Sequence, residues 1–206
     1  MKKISAFSLS EVLIAMAVIG IVAGLVIPNQ ISGARTKAYK TLYKSTFEQI
    51  QQGLTTAANV NKHPFVKVSN SVTLPNKAEF TLDRFMEHHY NAKEVTRNAP
   101  KDSLTEANVG KTYLMKNGAQ VIFDEGSLTI MDDTGCTNTR PCDAFIDVNG
   151  DKGPNSIVVC TEGTVDTDLS NTCAVTSDAI RDIFPVVIKM DHIYPKTNAA
   201  DYVLNN

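Results

Sequence analysis

The sequence has almost no net charge of either sign. Lys and Arg number 20 against 22 Asp and Glu, a formal net charge of −2. A nucleic-acid surface usually needs a basic excess to displace counterions, so no nucleic-acid partner is expected. Cysteine is scarce and confined: Cys136, Cys142, Cys160 and Cys173 all fall in the last third. The tight CxxC pairs of a structural zinc site are missing, and the next histidine downstream is as far away as His192. G-x-S-x-G, P-loop and HExxH sequences are missing too, as are internal repeats and low-complexity tracts. The chain is therefore not expected to be an enzyme. Its hydrophobic content of 43% is that of an ordinary globular protein, enough for a real core.

What is present is concentrated at the start. Met1-Lys2-Lys3-Ile4-Ser5-Ala6 precedes Phe7-Ser8-Leu9-Ser10-Glu11, and no residue from Val12 to Ile27 is charged or strongly polar. As a helix, Phe7 to Ile27 would be about 30 Å long, the thickness of a hydrocarbon core. The expectation is a single pass through the inner membrane, with Lys2 and Lys3 on the near side and the rest exported. Glu11 does not suit a plain anchor, because a carboxylate at a helix centre in lipid costs roughly 2.5–3.5 kcal/mol, and less near an end, and usually has a partner. A secretory signal peptide would have a shorter apolar core, about 7–15 residues, although Ser32-Gly33-Ala34 offers a small-x-small cleavage site.

Pro28 closes the apolar run and is read as a helix break or kink. Beyond it Ile31, Ala34, Ala38, Leu42, Phe47, Ile50, Leu54 and Ala57 recur at mostly three- and four-residue steps, the stripe of an amphipathic helix. Phe7 to about Asn59 as one helix would be on the order of 80 Å long, its lower half carrying a globular domain. Tyr39, Tyr43 and Phe47 share one side of it. Phe47 is expected in the core; for the tyrosines, core and filament contact stay open.

Residues 1–28 resemble the leader and first helix of type IV pilins and type II secretion pseudopilins. The short basic leader, Phe7, Glu11, the apolar run with Gly20, and Pro28 carry the likeness. It implies cleavage between Ala6 and Phe7 by a prepilin peptidase, N-methylation of Phe7, and pairing of Glu11 with the Phe7 amine of a neighbouring subunit in a filament. The implied partners are copies of itself or related pilin subunits, the peptidase, an inner-membrane assembly platform and membrane lipid. Ala6 departs from the family's usual glycine before the cut, and Ser8 and Ser10 from its usual threonine or aliphatic residues. The implied domains are a leader at 1–6, a transmembrane and assembly helix at 7–28, its amphipathic continuation at 29–60 and an exported globular domain at 61–206. Two rivals are kept: a membrane-anchored periplasmic binding module that does not polymerise, and a secreted domain cut after Ala34.

In the C-terminal part, residues 61–77 read as loop with a short strand, and Lys77 to Ala92 as a short amphipathic helix. Asn98 to Gly110 reads as a polar connection. Strands are expected on both sides of Asn117-Gly118, which favours a type I′ turn, and over Ser127–Met131, Ala144–Val148, Ser156–Cys160 and Pro185–Met190. The fold class is α+β: the long helix packed on an antiparallel sheet of four to six strands, with a loose tail from Lys196. In an exported context four cysteines read as two disulfides. Of three connectivities, Cys136–Cys142 and Cys160–Cys173 close the shortest loops.

The segment Asp147 to Asn155 places oxygen side chains at alternate positions, like the start of an EF-hand loop. Lys152 stands where that loop needs glycine, and Val158 where it needs a bidentate glutamate, so a tight turn is the plainer reading. If calcium binds, Asp147, Asn149 and Asp151 are its ligands. His88 and His89 are adjacent on a helix and point apart, which suits a solvated face better than a metal.

Overall fold

The computed structural model describes residues 8–61, 82–97, 104, 109–128, 136–161, 173–176 and 180–206; side chains at 25–32 and 60–61 are outside the description. Helix α1 runs from Leu9 to Asn61 without interruption, about 80 Å at 1.5 Å per residue. Pro28 lies inside it and does not break it. A proline removes one N–H and crowds one carbonyl, a local loss that the hydrogen bonds of the turns on either side can carry.

The expected single-pass inner-membrane location with an exported C-terminal domain is corrected. Among the described residues, no helix is long and apolar enough to cross a membrane. The apolar stretch whose side chains are described, Val12 to Gly24, has thirteen residues. That is about 20 Å of helix against the roughly 30 Å of a hydrocarbon core.

The second half of α1 seats the sheet. Six strands, β1 (Lys93–Val95), β2 (Thr112–Leu114), β3 (Gln120–Phe123), β4 (Cys142–Asp147), β5 (Ile183–Lys189) and β6 (His192–Pro195), lie side by side in sequence order. All neighbours pair antiparallel. The register sets Tyr113, Val121, Ile146 and Phe184 in one row across four strands. All four are buried, in the core that also takes Ile50, Leu54 and Ala57 of α1. The opposite face is not left to solvent: Leu104, Ile122, Phe145 and Ile183 make a second, smaller buried cluster.

The helix face that packs is centred differently from the expected stripe. Tyr43 is fully buried and stacks on Phe184, centroids 4.0 Å apart and planes 10° from parallel. Phe47 is only partly buried, edge-on to Tyr43. Ala34 and Ala38 are exposed, whereas Thr46 and Gly53 are buried. Gly53 is there for space: a Cβ at that position would come within 2.3 Å of the Tyr90 hydroxyl. Tyr90 comes from α2 (Leu82–Tyr90), and its hydroxyl donates to the Ile50 carbonyl at 2.8 Å.

Helix α3 (Asn198–Asn205) replaces the expected loose tail. Thr197 caps it, its side chain accepting from the Ala200 N–H, and Ala199, Ala200 and Val203 are buried. Strands β1 and β6 were not foreseen. Residues 156–160 make only an isolated bridge, Ile157 to Ile183. Residues 125–128 form a helical turn where a strand was expected over 127–131. The β2–β3 turn is not type I′. Gly118 alone has positive φ (87°), and its N–H bonds back to the Met115 carbonyl at 3.0 Å, a type I turn closed by a left-handed glycine. Asn61, expected to open a loop over 61–77, ends α1; the rest of that loop and the first residues of the Lys77–Ala92 helix lie outside the described residues.

Two disulfides are formed, Cys136–Cys142 and Cys160–Cys173, across sequence separations of 6 and 13 residues.

The two buried tyrosines should respond in opposite ways to loss of the hydroxyl. Tyr43 Oη is buried with no hydrogen-bond partner, so Tyr43→Phe keeps the Phe184 stack and removes an unsatisfied group. Stability should hold or rise by up to about 1 kcal/mol. Tyr90→Phe loses a made bond and should cost about 1 kcal/mol. Gly53→Ala should cost about 1–3 kcal/mol by overpacking against Tyr90, despite alanine's better helix propensity. Denaturant midpoints of the three variants check this set; a stabilised Gly53→Ala would refute the close approach.

Candidate functional site

Two places hold the residues singled out from the sequence. The first is the start of α1. Ser8 and Glu11 bond reciprocally: the Ser8 N–H donates to Glu11 Oε2 at 2.8 Å, and the Glu11 N–H donates to Ser8 Oγ at 3.3 Å. The Ser8 hydroxyl also donates to Glu11 Oε2 at 3.0 Å. This is a capping box, in which two of the orphan N–H groups of a helix start satisfy each other's residues. Both contacts to the carboxylate fall on Oε2, so a second donor can still be accepted at Oε1. The spacing Ser8-x-x-Glu11 is the sequence signature of this cap. Ala6 and Phe7 lie outside the described residues.

Above this cap the helix is bare. Leu9, Leu13, Ile14, Met16, Ile19 and Ile21 are each more than 60% exposed, and they point to every side of the helix. A helix of a soluble domain keeps one polar face; this stretch has none after Glu11. Exposed apolar surface on this scale marks an interaction site.

The second place is the turn after β4. Asp147 is fully buried at the strand end. Its Oδ1 accepts from the N–H groups of Asn149 (3.1 Å) and Gly150 (3.0 Å), and its Oδ2 lies 2.5 Å from Arg97 Nη2. Arg97, itself only 5% exposed at the side chain, also donates to Gln120 Oε1 at 2.8 Å and Asn155 Oδ1 at 3.0 Å. Asn149 Nδ2 donates to the Tyr39 hydroxyl and the Gly153 carbonyl, both at 3.1 Å. Asp151 Oδ1 accepts from Gln120 Nε2 at 3.3 Å. Asn155 takes a left-handed backbone (φ 50°), held by its N–H bond to Asp182, which also accepts from the Ser156 N–H. No local signal pointed to Arg97, which lies fifty residues before Asp147. Among the described residues, no group of three or more His, Cys, Asp or Glu is gathered as metal ligands would be. His88 and His89 stack on each other at the end of α2.

Burial pushes the Asp147 carboxyl up to about 6, against the pull of Arg97. The folded chain therefore holds the proton more tightly than the unfolded chain, whose aspartate titrates near 3.8. The resulting stability is fully present below about 3.8 and is lost as the pH rises through about 6. Against an Asp147→Asn reference, the wild-type melting midpoint should fall between those values and then level off. A difference between the two proteins that is flat across that window would sink this assignment.

Residues 1–27 match the family described as the prokaryotic N-terminal methylation motif. Comparison with curated proteins and with solved structures found no match to the chain. A long helix packed on an antiparallel sheet is the pilin-like α+β fold, and here the methylation motif leads directly into that helix.

Proposed function

We propose that the chain is a filament subunit of a type IV pilus or a type II secretion pseudopilus, cut between Ala6 and Phe7 and methylated at the Phe7 amine. The observation that carries this is the exposure of large apolar side chains all round α1 from Leu9 to Val22. Packing that stretch against the same stretch of neighbouring copies removes it from water, at roughly 25 cal/mol for each Å² covered. Glu11 accepts the neighbour's Phe7 amine, and the Ser8 cap holds the carboxylate at the end of the helix until that amine arrives. On this reading residues 1–6 are a removed leader and 7–28 the assembly segment. Residues 29–60 carry the globular part, which completes itself within 61–206. Other subunits, the peptidase and the assembly platform are its partners.

Mass spectrometry of the mature N-terminus tests the processing: a chain beginning at methylated Phe7 is expected, and one beginning at Arg35 would overturn the proposal. Glu11→Ala should leave subunit levels near wild type and reduce sheared filaments at least tenfold. Wild-type filament yield from Glu11→Ala would remove the assembly role.

A further inference from the structure

The Asp147–Asn155 turn has the oxygen atoms of a calcium loop, and its carboxylates already have other work, while Asn149 Oδ1 is buried without a hydrogen-bond partner. Calcium takes six to eight oxygens converging at about 2.3–2.6 Å. Here the three candidate side chains are anchored in three directions. Asp147 is tied to its own turn and to Arg97. Asn149 is tied to Tyr39 and Gly153, and Asp151 to Gln120. The one fully buried carboxylate of the set is matched by a guanidinium 2.5 Å away, which would repel a divalent ion approaching the same oxygen. Asp182, the other buried carboxylate nearby, is taken up by the N–H groups of Asn155 and Ser156. The one unpartnered side-chain oxygen of an uncharged residue, Asn149 Oδ1, falls far short of the six to eight that calcium takes, so the donor set does not fit it.

We infer that Arg97 is the resident cation of this turn, and that the turn keeps its shape without a divalent metal. The guanidinium suits the role because its planar fork reaches three partners at once: it donates to Gln120 on β3 and to Asn155 at the turn's end, and it pairs by charge with Asp147 on β4. A point charge such as lysine reaches one of them. Through Asn149 the same turn is tied to Tyr39, so Arg97 also steadies the contact between the turn and α1.

The test is a set of thermal melts on the full chain, in millimolar calcium and in EGTA. The wild-type midpoint should be the same in both, within about 1 °C, because a ligand stabilises only what it binds. Arg97→Met strands a buried carboxylate and should lower the midpoint by about 10 °C, and Arg97→Lys should fall in between. Removing both charges with Arg97→Met/Asp147→Leu should recover most of the loss, which keeps the test decisive if the single variant does not fold. A saturable rise of the wild-type midpoint with calcium, or stoichiometric calcium binding by titration calorimetry, would overturn the inference. So would an Arg97→Met chain that melts like wild type.

Discussion

The seat of Tyr43 on Phe184 is the contact on which the rest of the molecule depends. One helix must serve two surroundings, and the stack fixes where the change occurs. Below it Thr46, Ile50, Gly53, Leu54 and Ala57 are buried under the sheet. Above it, from Leu9 to Val22, large apolar side chains are left exposed by the described residues. A flat ring on a flat ring fixes rotation as well as contact, and rotation of α1 decides which residues reach Tyr90, Gln120's neighbours and the β6 edge. At that edge Gln51 receives the Ile193 N–H and donates to the Asp191 carbonyl, so the helix covers backbone that would otherwise offer itself to another strand.

Polar groups do for the far end of the sheet what the aromatic stack does for its middle. Arg97, Gln120, Asp147 and Asn155 form a buried network joining β3 and β4 to the segment after β1 and to a turn. Such a network adds little net stability when complete, and costs much when one member is lost. Its effect is on shape: Arg97, Asp147 and Asn155 hold the turn against β3 and β4. Lys111 plays a looser version of this role at the surface, bridging Asp83 of α2 and Glu94 of β1.

The architecture was largely legible because it rests on periodicity. The long helix, the Asn117-Gly118 hairpin, β4 and β5 all follow from spacing of apolar residues, and the short-loop cysteine pairs from the ease of closing small loops. What was misplaced shows where periodicity ends. Phe47 was favoured over Tyr43 for the core because it is the more apolar, but the register of α1 against β5 puts Tyr43 over Phe184 and leaves Phe47 at the margin. β1 is three residues long, too short to show alternation. The tail looked polar, yet Thr197 caps a helix whose small residues Ala199 and Ala200 allow close packing. Arg97 was invisible because its partners lie on other strands. Membrane placement was inferred from hydropathy, whereas the described part of that stretch falls short of a bilayer.

Helix α3 packs against α1, β5 and β6, so one of the last elements made completes the burial of the first. The core of this domain cannot close until α3 has emerged. Its contacts join residues more than a hundred positions apart, as between Gln51 and Ile193. Such long-range closure is slow, and it leaves the apolar stripe of α1 uncovered throughout synthesis. A chain of this design spends its early life with two sticky surfaces, and among the described residues the later ones cover the lower of the two.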